Sequence, residues 1–133
     1  MAFVLDVSIT AAWALADERS VLADLAASKL QNEIAWVPPL WWLEIRNVLI
    51  TNERRKRITA ADSEHFLKLI RPYSIQISSN PDEELTMKLA RLHNLSFYDA
   101  SYLALAVDKQ VPLVTLDRNL QTAAHAEGLP PLA

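Results

Sequence analysis

The sequence predicts an α/β domain in which a short parallel sheet is flanked by helices on both faces. Short runs at 2–5, 34–37 and 112–116 are almost wholly apolar, which is how strands buried on both faces read, and 73–77 is β-rich. Longer Ala- and Leu-rich stretches with helical periodicity separate them, the alternation that builds a parallel sheet. Glycine occurs once, at Gly128, and 51% of the residues are apolar, so a helix-rich chain with a substantial core is expected. At 133 residues, with no repeat, linker or low-complexity tract, one domain spans 1–133.

The elements follow in order. Ala2-Phe3-Val4-Leu5 reads as a buried strand ending at Asp6, and a helical stretch over about 9–31 is broken near Asp17-Glu18. A second strand at 34–37 is stopped by Pro38-Pro39, and helices are expected over about 40–56 and 59–70. A third strand covers 73–77. Asn80-Pro81-Asp82-Glu83 then reads as a helix start with Asn80 as N-cap, opening a helix to about 93; another covers about 98–109. The fourth strand, 112–116, ends at Asp117, and a last helix runs to about Glu127.

Composition excludes several chemistries. A lone glycine leaves no phosphate-cradling Gly-rich loop, so neither a P-loop nor a dinucleotide-binding fingerprint is present. The absence of cysteine removes disulfides, thiol catalysis and Cys-based zinc sites. His65, His93 and His125 match no zinc-ligand spacing, and His93 and His125 read as surface or helix-end residues. No apolar run reaches about 18 residues, and the N-terminal MAFVLDVS lacks a positive leader region, so a cytoplasmic protein without a membrane span is expected.

Four carboxylates stand out, each with an ordinary explanation of its own. Asp6 and Asp117 directly follow the first and fourth strands, where a turn residue or an N-cap would also suffice. If those strands flank the point where the strand order reverses, both acids face one ligand-binding crevice. Glu44 sits in the apolar helix segment Leu40-Trp-Trp-Leu-Glu-Ile-Arg-Asn-Val48, where an unpaired buried carboxylate is costly; pairing with Arg46 or Arg91, or exposure at the helix edge, would remove that cost. Asp99 completes Ser96-x-x-Asp99, a capping-box spacing shared with Thr59-x-x-Asp62, to which no function is assigned.

The ordered set carries more than its members. The hhhDxS start at Phe3–Ser8, the helix-borne Glu44, the YDAxYLALA stretch from Tyr98 and the LVTLDxxL segment from Leu113 together form the acidic pattern of the PIN domain. Over essentially its whole length the chain resembles the small VapC-type toxins of bacterial and archaeal toxin–antitoxin pairs. That resemblance implies a Rossmann-like domain with metal-dependent endoribonuclease activity, in which Asp6, Glu44, Asp99 and Asp117 bind the metal and Ser8, Thr115 and Asn119 support the site. It also implies a cognate antitoxin and a homodimer. Many relatives carry a further acid where this chain has Asn119, which offers an oxygen without charge, so the resemblance leaves the strength of a second metal site open.

An all-oxygen ligand set suits Mg²⁺ or Mn²⁺. The formal net charge of −3 argues against an RNA partner, but setting the four site acids aside leaves +1. Arg46 and Arg118 are candidate RNA or antitoxin contacts, and Arg54-Arg55-Lys56-Arg57 is a solvated helix end, a phosphate contact or a surface that pairs with an acidic partner. Of the adjacent Trp41 and Trp42, one belongs in the core and the other, with Trp13 or Trp36, lines a groove or interface. A receiver-like module fails for want of an acidic pair after the first strand and a late Lys, and a haloacid-dehalogenase-like phosphatase fails because position 8 is Ser. The standing alternative is a non-catalytic metal-binding interaction protein on the same fold.

Overall fold

Strands and helices alternate as β1 (Ala2–Leu5), α1 (Val7–Ala14), α2 (Val21–Leu30), β2 (Ile34–Val37), α3 (Pro39–Arg54), α4 (Ala60–Ile70), β3 (Ile75–Ile77), α5 (Glu83–His93), α6 (Phe97–Lys109), β4 (Leu113–Val114) and α7 (Arg118–Ala126). The computed structural model describes all 133 residues, Met1–Ala133. The sheet order is β3-β2-β1-β4, and every pairing is parallel.

This order explains the layers. From β1 to β2 to β3 the chain steps in one direction across the sheet, then crosses back to place β4 on the far side of β1. Because parallel crossovers are right-handed, α1–α4 cover one face and α5–α6 the other. α6 lies along β1, β2 and β4 with α5 packed behind it. That position buries Ala100 through Ala106 without interruption, which is why this helix is apolar nearly all round. Phe3, Val4 and Leu5 of β1 are likewise fully buried, as the strand between β2 and β4 should be.

Local chemistry sets the boundaries, and several differ from the sequence expectation. α1 begins at Val7, because the Asp6 carboxylate accepts the Ser8 N–H and caps it. α3 stops at Arg54, as Lys56 turns into the left-handed region with φ 58°. The N-cap of α5 is Asp82, not Asn80: its Oδ1 accepts the Leu85 N–H at 2.9 Å, so Pro81 lies outside the helix. β3 and β4 are shorter than expected, covering Ile75–Ile77 and Leu113–Val114. Beyond β4, the Thr115 carbonyl accepts from Gln121 Nε2, which ends the strand. No helix is long and apolar enough to cross a membrane.

The two adjacent tryptophans divide as expected. Trp41 is buried and its indole N–H donates to Thr10 Oγ1 at 2.9 Å, fixing α3 against α1. Trp42 is exposed and carries the Arg46 guanidinium on its face, 3.8 Å from the ring centroid. Trp36 carries Lys109 in the same way. Of the basic run after α3, Arg57 forks onto Asp17 and reaches Glu18, so its acidic partners lie within the chain; Arg54, Arg55 and Lys56 are exposed.

Candidate active site

β1 and β4 are neighbours, with Leu5 in register with Val114, so the strand order reverses between them. The crevice beyond their C-terminal ends is where doubly wound sheets bind ligands. Asp6 and Asp117 stand at that point, and Glu44 from α3 and Asp99 from the first turn of α6 approach it from the two faces.

Asp6 is the buried member. Its Oδ2 accepts from the Ser8 hydroxyl at 2.5 Å, the Thr115 hydroxyl at 2.9 Å and the Ser8 backbone N–H at 3.3 Å. Each hydroxyl is itself oriented by a backbone donor. Leu116 N–H donates to Ser8 Oγ at 2.9 Å, and Asp117 N–H donates to Thr115 Oγ1 at 3.0 Å. The turn after β4 thus aims two hydroxyl protons at one carboxylate oxygen, and none of these bonds uses Oδ1. Ser8 turns its hydroxyl toward Asp6, and with Thr115 it fixes that carboxylate. Burial raises the Asp6 pKa, opposed by the bonds from Ser8 and Thr115.

Glu44 is partly buried and pairs with neither Arg46 nor Arg91. Its Oε1 accepts a 2.5 Å hydrogen bond from the phenol of Tyr102, a buried residue of α6. Desolvation raises the Glu44 pKa, the Tyr102 bond opposes that rise, and the charges of Asp6 and Asp99 reinforce it. Burial and the adjacent carboxylate hold the Tyr102 proton in place. Tyr102 is the site residue that sequence reasoning missed. The available signal was its place three residues after Asp99, on the same face of one helix.

Asp99 resolves its two readings. Ser96 Oγ accepts the Asp99 N–H at 3.0 Å, but the reciprocal bond of a capping box is absent, whereas Thr59 and Asp62 make both. The Asp99 carboxylate therefore does not close a capping box, and the Ser96 hydroxyl bond only opposes the rise in its pKa. Its pKa is raised by desolvation and then by the charges of Asp6 and Asp117, which places it among the other acids. Asp117 caps α7 and its charge acts on Asp99: Oδ1 accepts the Leu120 N–H at 3.1 Å and holds the start of α7.

No salt bridge reaches any of the four acids, and Asp6, Glu44 and Asp99 are held in neighbouring positions against their mutual repulsion. Arg118 and Asn119, both exposed, follow Asp117 in the first turn of α7. Arg46 is not brought to this crevice. It lines a groove of about 140 Å³ beside β3, with Trp41, Arg71 and Tyr73.

A concentration of uncompensated carboxylate, without imidazole or thiolate, suits a hard divalent cation. No three of the acids are drawn closely enough to ligate one ion by themselves. That openness fits an Mg²⁺-type ion, which keeps several waters and needs only one or two carboxylates directly.

The family model described as the PIN domain matches residues 3–126. Among solved structures the chain is similar to PAE2754 from Pyrobaculum aerophilum, with a TM-score of 0.71 and 27% identity, over 92% of this chain and 84% of that one. It also shares its fold with VapC20 of Mycobacterium tuberculosis, described as a sarcin-ricin loop cleaving toxin. Here the TM-score is 0.60 and the identity 15%, over 96% of this chain and 99% of that one. No curated protein matches the chain.

Proposed function

The chain belongs to the PIN-domain family, and from that premise we propose that it is a metal-dependent endoribonuclease acting as the toxin of a toxin–antitoxin pair. The observation that carries this reading is the convergence of Asp6, Glu44, Asp99 and Asp117 at the β1–β4 switch point with no basic partner. A fold maintains such repulsion where function requires it, because carboxylates arranged only for stability would be paired.

Asp6, Glu44, Asp99 and Asp117 would hold Mg²⁺ or Mn²⁺, one or two of them directly and the others through its waters, Asp6 through the Oδ1 that its hydroxyl network leaves free. Such an ion supplies positive charge for the phosphoryl oxygens and lowers the pKa of an attacking water. The protein's part is to aim the carboxylates. Proton removal from that water would fall to one of the site carboxylates, and Asp99, whose pKa is raised by desolvation and by the charges of Asp6 and Asp117 against the Ser96 hydroxyl bond, is one such group. Arg118, exposed beside Asp117, contacts an RNA phosphate. Asn119 supports the site without adding charge, so a second ion, if it binds, binds more weakly.

The fold shared with VapC20, a sarcin-ricin loop cleaving toxin, supports an RNA substrate for this chain; an antitoxin that blocks the crevice and a second copy in a homodimer are part of the same proposal and follow from the toxin reading alone. Regulated expression in a bacterial host tests the proposal. The wild type should arrest growth and leave discrete RNA fragments, while Asp99→Asn, produced at the same level, should do neither. Equal growth with both would leave the binding-protein alternative standing.

A further inference from the structure

The four acids differ in what holds them. Asp6 is fixed by the hydroxyls of Ser8 and Thr115, and Asp117 by its own N-cap bond. Glu44 has no such support from its own helix. Its neighbours one turn away on α3 are Leu40, Trp41, Asn47 and Val48; Trp41 spends its indole N–H on Thr10, Asn47 is exposed, and neither donates to Glu44. The side chain that does donate comes from the opposite layer. Tyr102, one turn after Asp99 on α6, reaches across the end of β1 and donates its phenolic hydrogen to Glu44 Oε1 at 2.5 Å. The backbone amide of Val7, next to Asp6, faces the same phenol oxygen.

We propose that Tyr102 is a positioning residue that orients Glu44 toward the cation site, by occupying Oε1 and leaving Oε2 as the free lone-pair donor. The inference rests on the cation-binding reading of the site. Three features argue for it over the simpler view that a buried tyrosine has merely found an acceptor. Tyr102 is 1% exposed, so its ring cannot swing away and its hydroxyl is a fixed point. A glutamate has three side-chain torsions, and without the bond Glu44 would lose the single orientation that a metal ligand requires. The same bond links α6, which carries Asp99, to α3, so the two layers that contribute acids are tied at the crevice itself. A donor fixed in this way does for Glu44 what the Ser8 and Thr115 hydroxyls do for Asp6. Partners behind metal ligands typically carry about 10–100-fold in metal affinity or activity.

The test is Tyr102→Phe, which removes one oxygen and keeps the ring. Mn²⁺ affinity is measured by calorimetry on wild type, Tyr102→Phe, Glu44→Gln and the double variant, with melting of the metal-free proteins as the folding control. Positioning predicts that Mn²⁺ affinity falls on the order of tenfold in Tyr102→Phe. It also predicts that adding Tyr102→Phe to Glu44→Gln costs nothing further, and that the Tyr102→Phe cleavage rate recovers at saturating Mn²⁺. A melting change with Mn²⁺ affinity unaltered would overturn the inference and leave Tyr102 a packing residue. Mn²⁺ that fails to bind even the wild type would instead overturn the reading of the site, and the inference with it. If Tyr102→Phe does not fold, 4-aminophenylalanine at position 102 replaces it: a weaker donor in the same place should weaken Mn²⁺ binding, and unaltered Mn²⁺ affinity would overturn the inference.

Discussion

Asp6 and Thr115 are 109 positions apart in sequence and joined by a 2.9 Å hydrogen bond between buried side chains. The bond crosses the point where β1 and β4 meet and the strand order reverses. Thr115 also accepts the Asp117 N–H, so a single hydroxyl connects two of the four acids.

Replacing that hydroxyl with a methyl group should therefore damage fold and site together. Thr115→Val leaves the Asp117 N–H without its acceptor and removes one of the bonds that moderate the Asp6 pKa. A loss of about 1–3 kcal/mol in unfolding free energy is expected, with weaker metal binding. Thr115→Ser, which keeps the oxygen, should recover most of both. Denaturant unfolding of the two variants checks this, and equal loss in both would show that the methyl, not the hydroxyl, matters.

The repulsion among the acids predicts a pH dependence with a definite sign. Burial and neighbouring charge raise the Glu44 pKa in the folded state, so the folded protein binds more protons than the unfolded chain once pH passes the ordinary carboxylate value near 4. Stability contributed by this group is then lost as pH rises. Glu44→Gln removes the effect and keeps an oxygen for Tyr102 to donate to. Without metal the variant should melt close to wild type at about pH 4, and above it, by about 4 °C for each kcal/mol gained, near pH 7. Millimolar Mg²⁺ should reverse the order at neutral pH, since the ion stabilises the wild type more. Melting curves that stay parallel across the pH range would contradict this.

The two candidate RNA contacts should behave differently. Arg118 is exposed beside Asp117, while Arg46 is stacked on Trp42 in the groove beside β3. Arg118→Ala should raise KM for RNA and reduce the salt dependence of binding by about 0.7 in the log–log slope, the value for one phosphate on a single strand. Arg46→Ala should leave both unchanged. Steady-state cleavage at several salt concentrations separates the two, and an equal effect would return Arg46 to the substrate path.

Asp6 and Asp117 are legible as strand-end acids because an apolar strand with an acid at its end is a local signal, and the strand order brings the two ends side by side. Glu44 stood out as an acid in an apolar helix, but its partner did not, because Tyr102 meets it from another layer of the fold. The N-cap of α5 was misplaced because Asn80 and Asp82 are both good caps, and only the bond to Leu85 N–H distinguishes them. Arg46 lies in the groove beside β3 and away from Glu44. Residues two apart on a helix do not share a face, so a guanidinium beside Glu44 in sequence points elsewhere in space.

The most direct test is cleavage of total cellular RNA by the purified protein in Mg²⁺ or Mn²⁺, beside an EDTA control and folded Asp6→Ala and Asp99→Asn. A metal-activated ribonuclease built on these acids predicts discrete fragments from the wild type, lost with EDTA and in both variants. Fragments that persist in EDTA or in the variants would contradict it, as would intact RNA with metal-saturated wild type.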